Sequence, residues 1–271
     1  PRLLPLQTLP NPNGYDGLIA AGNLVSLGTD DYEVAGLALL RAVAATNASA
    51  LARARSALGN QCQVPQGFSE TAVTRHITDE LPQVKKLAQA FTVEGLWAMA
   101  EKRPADAARS YLDIIRLGVE SARGGLIIDQ LVGTACEAIG TAHLQKLTPQ
   151  LDAKTCREAA QTLETLDARR QSWEDVMQQE QNWSGRTFPG LANQWRRAMN
   201  QRAMTEAYRK GLDRFHKGLL SERQVLLALA ERAYTLDKGH RPAAAADLVP
   251  DYLQAVPKNP ITGNELPSFA P

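Results

Sequence analysis

Aromatic residues are scarce, making up 6% of the 271 positions. Runs of Val and Ile alternating with polar residues are nearly absent as well. Strands draw on those residue types at a period of two, so the composition favours helices. Cysteine is rare, with Cys62, Cys136 and Cys156 as the full set. None stands in CxxC spacing, which excludes a paired-cysteine zinc site and a thioredoxin-like motif. The odd count rules out complete internal pairing. One disulfide stays open, and buried free thiols are the plain expectation. Neither sign of charge dominates, the formal net charge being +1. A dedicated nucleic-acid binder carries a strong basic excess, so no specific nucleic-acid partner is expected. No apolar run reaches the roughly 20 residues of a membrane span. The chain opens on Pro1, and "PRLLPLQTLPNPNG" resembles the start of a trimmed product. The expectation is a targeting or anchoring segment upstream.

Catalytic signatures are also missing. The sequence contains no HExxH, no GxSxG and no phosphate-cradling glycine loop. The four histidines, His76, His143, His216 and His240, lie far apart. Cys136 and His143 share one helical face, as a core thiol and an edge imidazole. Glu174 and Glu180 are six apart, hence on different sides of a helix, and read as a solvated face. No catalytic, cofactor-binding or metal-ligating residue is assigned, and the balance leans away from an enzyme.

What is abundant is Ala and Leu at helical spacing. The expected fold is all-α: a multi-helix bundle or solenoid-like array with one tetratricopeptide-like hairpin and an irregular C-terminal tail. Residues 1–13 read as an extended lead-in, 14–238 as the helical domain and 239–271 as a capping tail packed on it. A short helix ends at Gly28. A longer one runs from an Asp30 or Asp31 cap to Gly59, with Asn47 as a dividing point. After a loop at 60–68, helical pattern resumes near Ser69, and Pro82 suits a first turn. Pro104 opens a helix whose Ala107, Ala108, Tyr111, Ile114, Ile115 and Leu117 share one face. A further helical stretch continues it or follows at once. Thr148-Pro149 is a break, and Asp152 caps the helix that follows through "QQEQNW". "FPG" at 188–190 breaks the pattern again. Two last helices, 191–217 and 221–238, are separated by Gly218 and capped at Ser221.

Three constellations stand out. Glu94–Gly118 resembles one tetratricopeptide unit, with Gly95 and Ala107 as the small residues and Tyr111 as the aromatic between its helices. Gly118, Gly125, Gly133 and Gly140 recur at spacings of seven, eight and seven. Each costs about 0.5–1 kcal/mol against Ala inside a helix, so their recurrence marks a close-packing face. The alternative is a wall beside a ligand pocket. Trp195, Arg196, Arg197, Arg202, Arg209, Lys210 and Arg214 form a basic, aromatic-bearing helix. It reads as a solvated face or as an interaction surface for an acidic partner or anionic headgroups.

The tail carries a family likeness. Tyr234, Gly239-His240-Arg241-Pro242, Asp247-Leu248-Val249-Pro250, Tyr252-Leu253, Val256-Pro257, Asn259-Pro260 and Gly263 resemble a terminal module of planctomycete-type bacterial proteins. "NPNGYDGLIAAG" and the stretch from Lys102-Arg103-Pro104 onward are similar to the same family. The resemblance implies an all-helical protein with a membrane-anchoring N-terminal segment, and no activity. The tail is also similar to the C-terminal module of type II secretion pseudopilins, whose Asp-Pro turn borders calcium. Asn259 stands where that Asp would be, so no metal is expected. As a cap, Leu248, Val249, Tyr252, Leu253 and Val256 would cover an apolar helix face, with Asn259–Gly263 forming a turn.

The functional expectation is a non-enzymatic helical interaction or scaffold protein. It would be membrane-anchored, extracytoplasmic in the bacterial cell envelope, and engaged with a protein partner. The alternatives are a small-ligand binder or enzyme with a pocket beside the glycine face, and a subunit of a secretion or envelope assembly.

Overall fold

Ala107, Ala108, Tyr111, Ile114, Ile115 and Leu117, the stripe expected on one helical face, are all buried. Their helix is the centre of an all-α bundle. The computed structural model describes residues 34–64, 67, 69–188 and 201–267. The expected lead-in over 1–13 and the short helix ending at Gly28 lie outside these residues.

Eight α-helices are described: α1 Val34–Leu58, α2 Glu70–Arg75, α3 Leu81–Ala100, α4 Pro104–Ala122, α5 Ile127–Leu147, α6 Ala153–Arg169, α7 Trp173–Thr187 and α8 Gln201–Lys238. A π-turn, His76–Glu80, joins α2 to α3. No strand occurs among the described residues, only an isolated antiparallel bridge between Lys258 and Glu265. α1, α3, α4 and α5 pack in succession, and α6 and α8 fold back onto α4 and α5. The array therefore closes into a bundle. A main core runs through it, with Leu51, Phe91, Ile114, Leu144, Leu163 and Leu227 all without exposure or nearly so, and two smaller clusters flank it around Leu40 and around Trp173.

The α4–α5 contact is the tightest, and glycine permits it. A Cβ on Gly133 would lie 2.6 Å from the Gly118 carbonyl oxygen, and one on Gly140 would lie 2.6 Å from that of Tyr111. Backbone meets backbone there, so the seam is filled. Gly125 precedes α5, and its Cβ would instead meet the Asp129 side chain. In the α3–α4 hairpin, Gly95 makes room for the Tyr111 ring.

Several elements differ from the sequence expectation. Asn47 does not divide α1, because its amide donates to the Val43 carbonyl (2.9 Å) inside a continuous helix. Gly218 and Ser221 do not separate two helices; α8 runs through both. Phe215, Leu219 and Leu226 keep the apolar stripe in phase across Gly218, and burial outweighs the glycine penalty. The helix expected from Asp152 onward is broken at Arg170, Gln171 and Ser172. Arg170 leaves helical geometry to carry its guanidinium inward. It grips both oxygens of Glu222 at 2.9 Å and also pairs with Glu137. Ser172 then caps α7 by accepting from the Asp175 N–H (3.1 Å). Burial works against the Arg170 charge, but Glu137 and Glu222 outweigh it and hold the guanidinium protonated. Nε of Arg170 and one oxygen of Glu137 have no hydrogen-bond partner among the described residues, so the cluster is less stabilising than its charges suggest.

Gly239, at φ +76°, ends α8 where a side chain would be strained. The tail then turns back. Asp247 accepts from the Ala243 and Ala244 N–H groups at 2.8 and 3.0 Å. Leu248, Leu253 and Leu266 enter the main core. Val249 does not cover the helices as expected: it faces solvent, and Leu266 supplies the further apolar contact. Tyr252 packs on Tyr234 and donates to Asp237 (3.1 Å). Asn259 Oδ1 accepts from the Ile261 and Thr262 N–H groups, which commits it to the turn.

Gly133→Ala would gain about 1 kcal/mol of helix propensity. It would also force a methyl against a carbonyl that cannot move alone, at about 1–3 kcal/mol. Urea denaturation should show net destabilisation, whereas Gly185→Ala, with open space around it, should be neutral or stabilising. Arg170→Met would leave two buried carboxylates without their cation. The expected loss is about 3–5 kcal/mol, and a loss below about 1 kcal/mol, the usual worth of a surface pair, would contradict the assignment.

Candidate functional site

Small residues on α1 leave an open cavity against α3 and α4. Ala44, Ala45 and Ala48 face Trp97 and Ala98 of α3, and the space left is an open groove of about 410 Å³ between α1, α3 and α4. Longer side chains at those alanines would fill it. Arg55 closes its inner end. Its Nε donates to Asp113 (2.5 Å), its terminal nitrogens pair with Glu94, and the guanidinium lies 5.1 Å from the Phe91 ring centroid. Ser110 donates to Glu94 (2.7 Å). Burial opposes the Arg55 charge, but Glu94 and Asp113 prevail and keep it protonated. Burial likewise pushes the Asp113 carboxyl up while Arg55 and Arg116 pull it down.

Three more arginines line the groove: Arg41, Arg103 and Arg109. Arg103 holds Glu101 (2.9 Å) and Asp106 (2.5 Å), and Arg109 approaches Asp106 at 3.5 Å. Arg41 is exposed and has no ion pair among the described residues. The lining carboxylates Glu94 and Asp106, with Glu101 and Asp113 just outside the lining, neutralise Arg55 and Arg103 over an alanine floor. The groove therefore buries apolar groups, and its exposed arginines, Arg41 and Arg109, are the ones able to meet an anionic group.

A second, smaller cavity of about 210 Å³ lies at the π-turn. Pro82 has no N–H for the Thr78 carbonyl, and its ring crowds that carbonyl. The helix widens there, with the Leu81 N–H bonding to the His76 carbonyl. His76 is held from both sides. Nε2 lies 2.5 Å from Asp129 of α5, and Nδ1 lies 2.7 Å from Glu80. A neutral imidazole has one N–H, and two carboxylates require two, so the geometry calls for the imidazolium. Burial alone would lower the His76 pKa, but Glu80 and Asp129 raise it above the ordinary value. Asp129 is buried and also accepts from the Leu126 N–H (2.7 Å), while Glu180 of α7 accepts from that of Ile127 (3.0 Å). Two carboxylates therefore cap the positive end of α5. Glu180 is partly buried in this role, not on a solvated face, and burial pushes its pKa up.

Comparison with protein-family models, with curated proteins and with solved structures finds no match to this chain.

The residues singled out in the sequence fall into three groups. Trp195, Arg196 and Arg197 lie outside the described residues, and Arg202 falls in the first turns of α8. Arg209, Lys210 and Arg214 are exposed on α8. Lys210 pairs with Glu206 (2.8 Å) and Lys217 with Asp213 (2.8 Å), while Arg209 and Arg214 hold no ion pair among the described residues. The other side of this helix packs inward, Phe215 and Leu219 against Trp173. Gly118, Gly133 and Gly140 lie in the closed α4–α5 seam, which leaves no room for a ligand there. Cys136 and His143 form no activated pair. Burial pushes the Cys136 thiol up to about 11, and His143 stacks on Tyr111 with its pKa lowered by burial. Cys62 and Cys156 are free thiols as well, Cys62 only partly buried. Among the described residues no group of three His, Cys, Asp or Glu side chains is placed to hold a metal.

The long-range pairings of Arg55 and His76 were not foreseen, because Glu94, Asp113 and Asp129 lie 39–58 positions away. The available signal was a lone acid inside an apolar run, as at Asp113 and Asp129.

The raised His76 pKa has a pH consequence. A base favoured in the folded state contributes fully below its unfolded value of about 6.5. That contribution is lost as pH climbs through the higher folded value. The melting temperature of the wild type should exceed that of His76→Gln at about pH 6, and the gap should narrow toward about pH 8–9. A gap independent of pH would contradict the imidazolium assignment.

Proposed function

We propose that this chain is a non-enzymatic helical interaction module that holds an acidic segment of a protein partner in the groove between α1, α3 and α4. The observation that carries it is the groove lining: an alanine floor flanked by Arg109 and by Arg41, both exposed, with Arg41 holding no ion pair among the described residues. An extended or helical peptide with Asp or Glu spaced around small apolar residues matches both features. Trp97 offers it an aromatic contact. The tail's likeness to planctomycete-type proteins supports a place in the bacterial cell envelope, outside the cytoplasm, with an anchoring segment. Exposed Arg209, Lys210 and Arg214 on α8 fit a neighbouring anionic headgroup surface in that setting. Among the described residues no helix is long and apolar enough to cross a membrane, so the anchor would lie elsewhere.

Fluorescence anisotropy tests the groove with a labelled Glu/Leu-rich peptide and its Lys/Leu counterpart. The acidic peptide should bind, with affinity falling as salt is raised. Arg41→Glu combined with Arg109→Glu should weaken it at least tenfold while leaving the circular dichroism spectrum unchanged, because both side chains are exposed. Equal binding of the two peptides, or an unaffected double variant, would overturn the proposal.

A further inference from the structure

We propose a second binding site, independent of the groove: a carboxylate subsite at His76 that the protein fills with its own Glu80. A small carboxylate ligand with an apolar body takes that place.

The subsite is built from two cations on one carboxylate. Glu80 accepts from His76 Nδ1 at 2.7 Å through one oxygen and approaches Arg75 at 3.4 Å through the other. The imidazolium is fixed from behind. Asp129 holds Nε2 at 2.5 Å and is itself buried and bonded to the Leu126 N–H. Asp129 therefore cannot leave its partner without exposing an unpaired buried charge. Glu80 can leave, because its side chain is 46% exposed. The helix around it is loosened by the π-turn, and α2, which carries Arg75, has no buried residue. Of the other charges nearby, Glu180 is committed to the Ile127 N–H, and Asp79, next to Glu80 in the turn, accepts from the Thr78 hydroxyl.

One wall beside this subsite is apolar. Val64, Val73, Leu126 and Trp183 line the cavity of about 210 Å³ opposite the polar side formed by Arg75, His76, Glu80 and Asp129, whose carboxylate is already paired with His76. Trp183 is oriented by donating its indole N–H to the Gly67 carbonyl (2.7 Å). Drug-sized sites occupy roughly 300–1,000 Å³, so the ligand is smaller: a monocarboxylate with one ring or a short alkyl chain. Exchange of one carboxylate for another keeps the imidazolium paired on both sides, and the displaced Glu80 carboxylate is solvated. The ligand's apolar body then supplies the burial that Glu80 does not.

Phenylacetate and hexanoate are the probes, with phenylacetamide as the uncharged control. Isothermal titration at pH 6 should show both acids binding Glu80→Ala at least tenfold more tightly than the wild type. The amide should bind neither protein. In the wild type, the His76 ring resonances should shift saturably on titration with phenylacetate, a readout that does not depend on the variant folding. If folded Glu80→Ala binds neither acid, or binds acid and amide alike, the proposal fails. Should Glu80→Ala not fold, unmoved His76 resonances in the wild type would overturn it equally. Loss of peptide binding in the groove would leave this result untouched.

Discussion

Between Gly118 and Gly133 the helices α4 and α5 touch backbone to backbone, and α3, α6 and α8 pack around the pair so formed. A single Cβ at either position would occupy the space of the facing carbonyl. With the two axes so close, the outer face of α4 is left to receive α3 and α1. The flanks of the pair receive α6 and α8. The groove of α1, α3 and α4 is therefore a product of the seam at one remove. α4 presents Asp106, Arg109 and Ser110 at that groove because its opposite face is consumed by α5.

Apolar packing alone does not fix how far helices slide along one another, since leucines interchange readily. Buried or half-buried charges supply that register. Arg55 ties α1 to α3 and α4, Arg170 ties the end of α6 to α5 and α8, and His76 ties the π-turn to α5. Each links elements distant in sequence. Each would leave a desolvated charge behind if the helices shifted by one turn. The three ties differ in surroundings. Arg170 is enclosed, whereas Arg55 and His76 border cavities, which is why the latter two also shape surfaces where ligands can meet charge.

The helical stripe of α4 and the glycine seam were legible because both are periodic and local. Glycine inside a helix is disfavoured, so its recurrence announces a reason. Gly125 shared the spacing without sharing the seam, since spacing counts residues and not the helix boundary between them. The break at Arg170 was illegible for the opposite reason. No Gly or Pro marks it; the chain leaves the helix so that one guanidinium can reach Glu137 and Glu222. The groove was hidden in Ala44, Ala45 and Ala48, which read as good helix formers and not as missing volume. The charge pairs were hidden because a lone Asp in an apolar run states that a partner exists without naming it.

The wide turn at His76–Glu80 has a further consequence for how the chain is counted. Each residue of an α-helix takes up roughly 100° of arc. A turn that absorbs one extra residue rotates everything before it by that angle relative to everything after it. α2 and α3 are thus out of phase, and a helical wheel drawn across both would misassign the face of His76. The turn acts as a spacer whose length matters more than its composition. Threonine or aspartate within it can be exchanged with little effect on direction, whereas the loss of one residue would leave both helices intact and turn the imidazole away from Asp129.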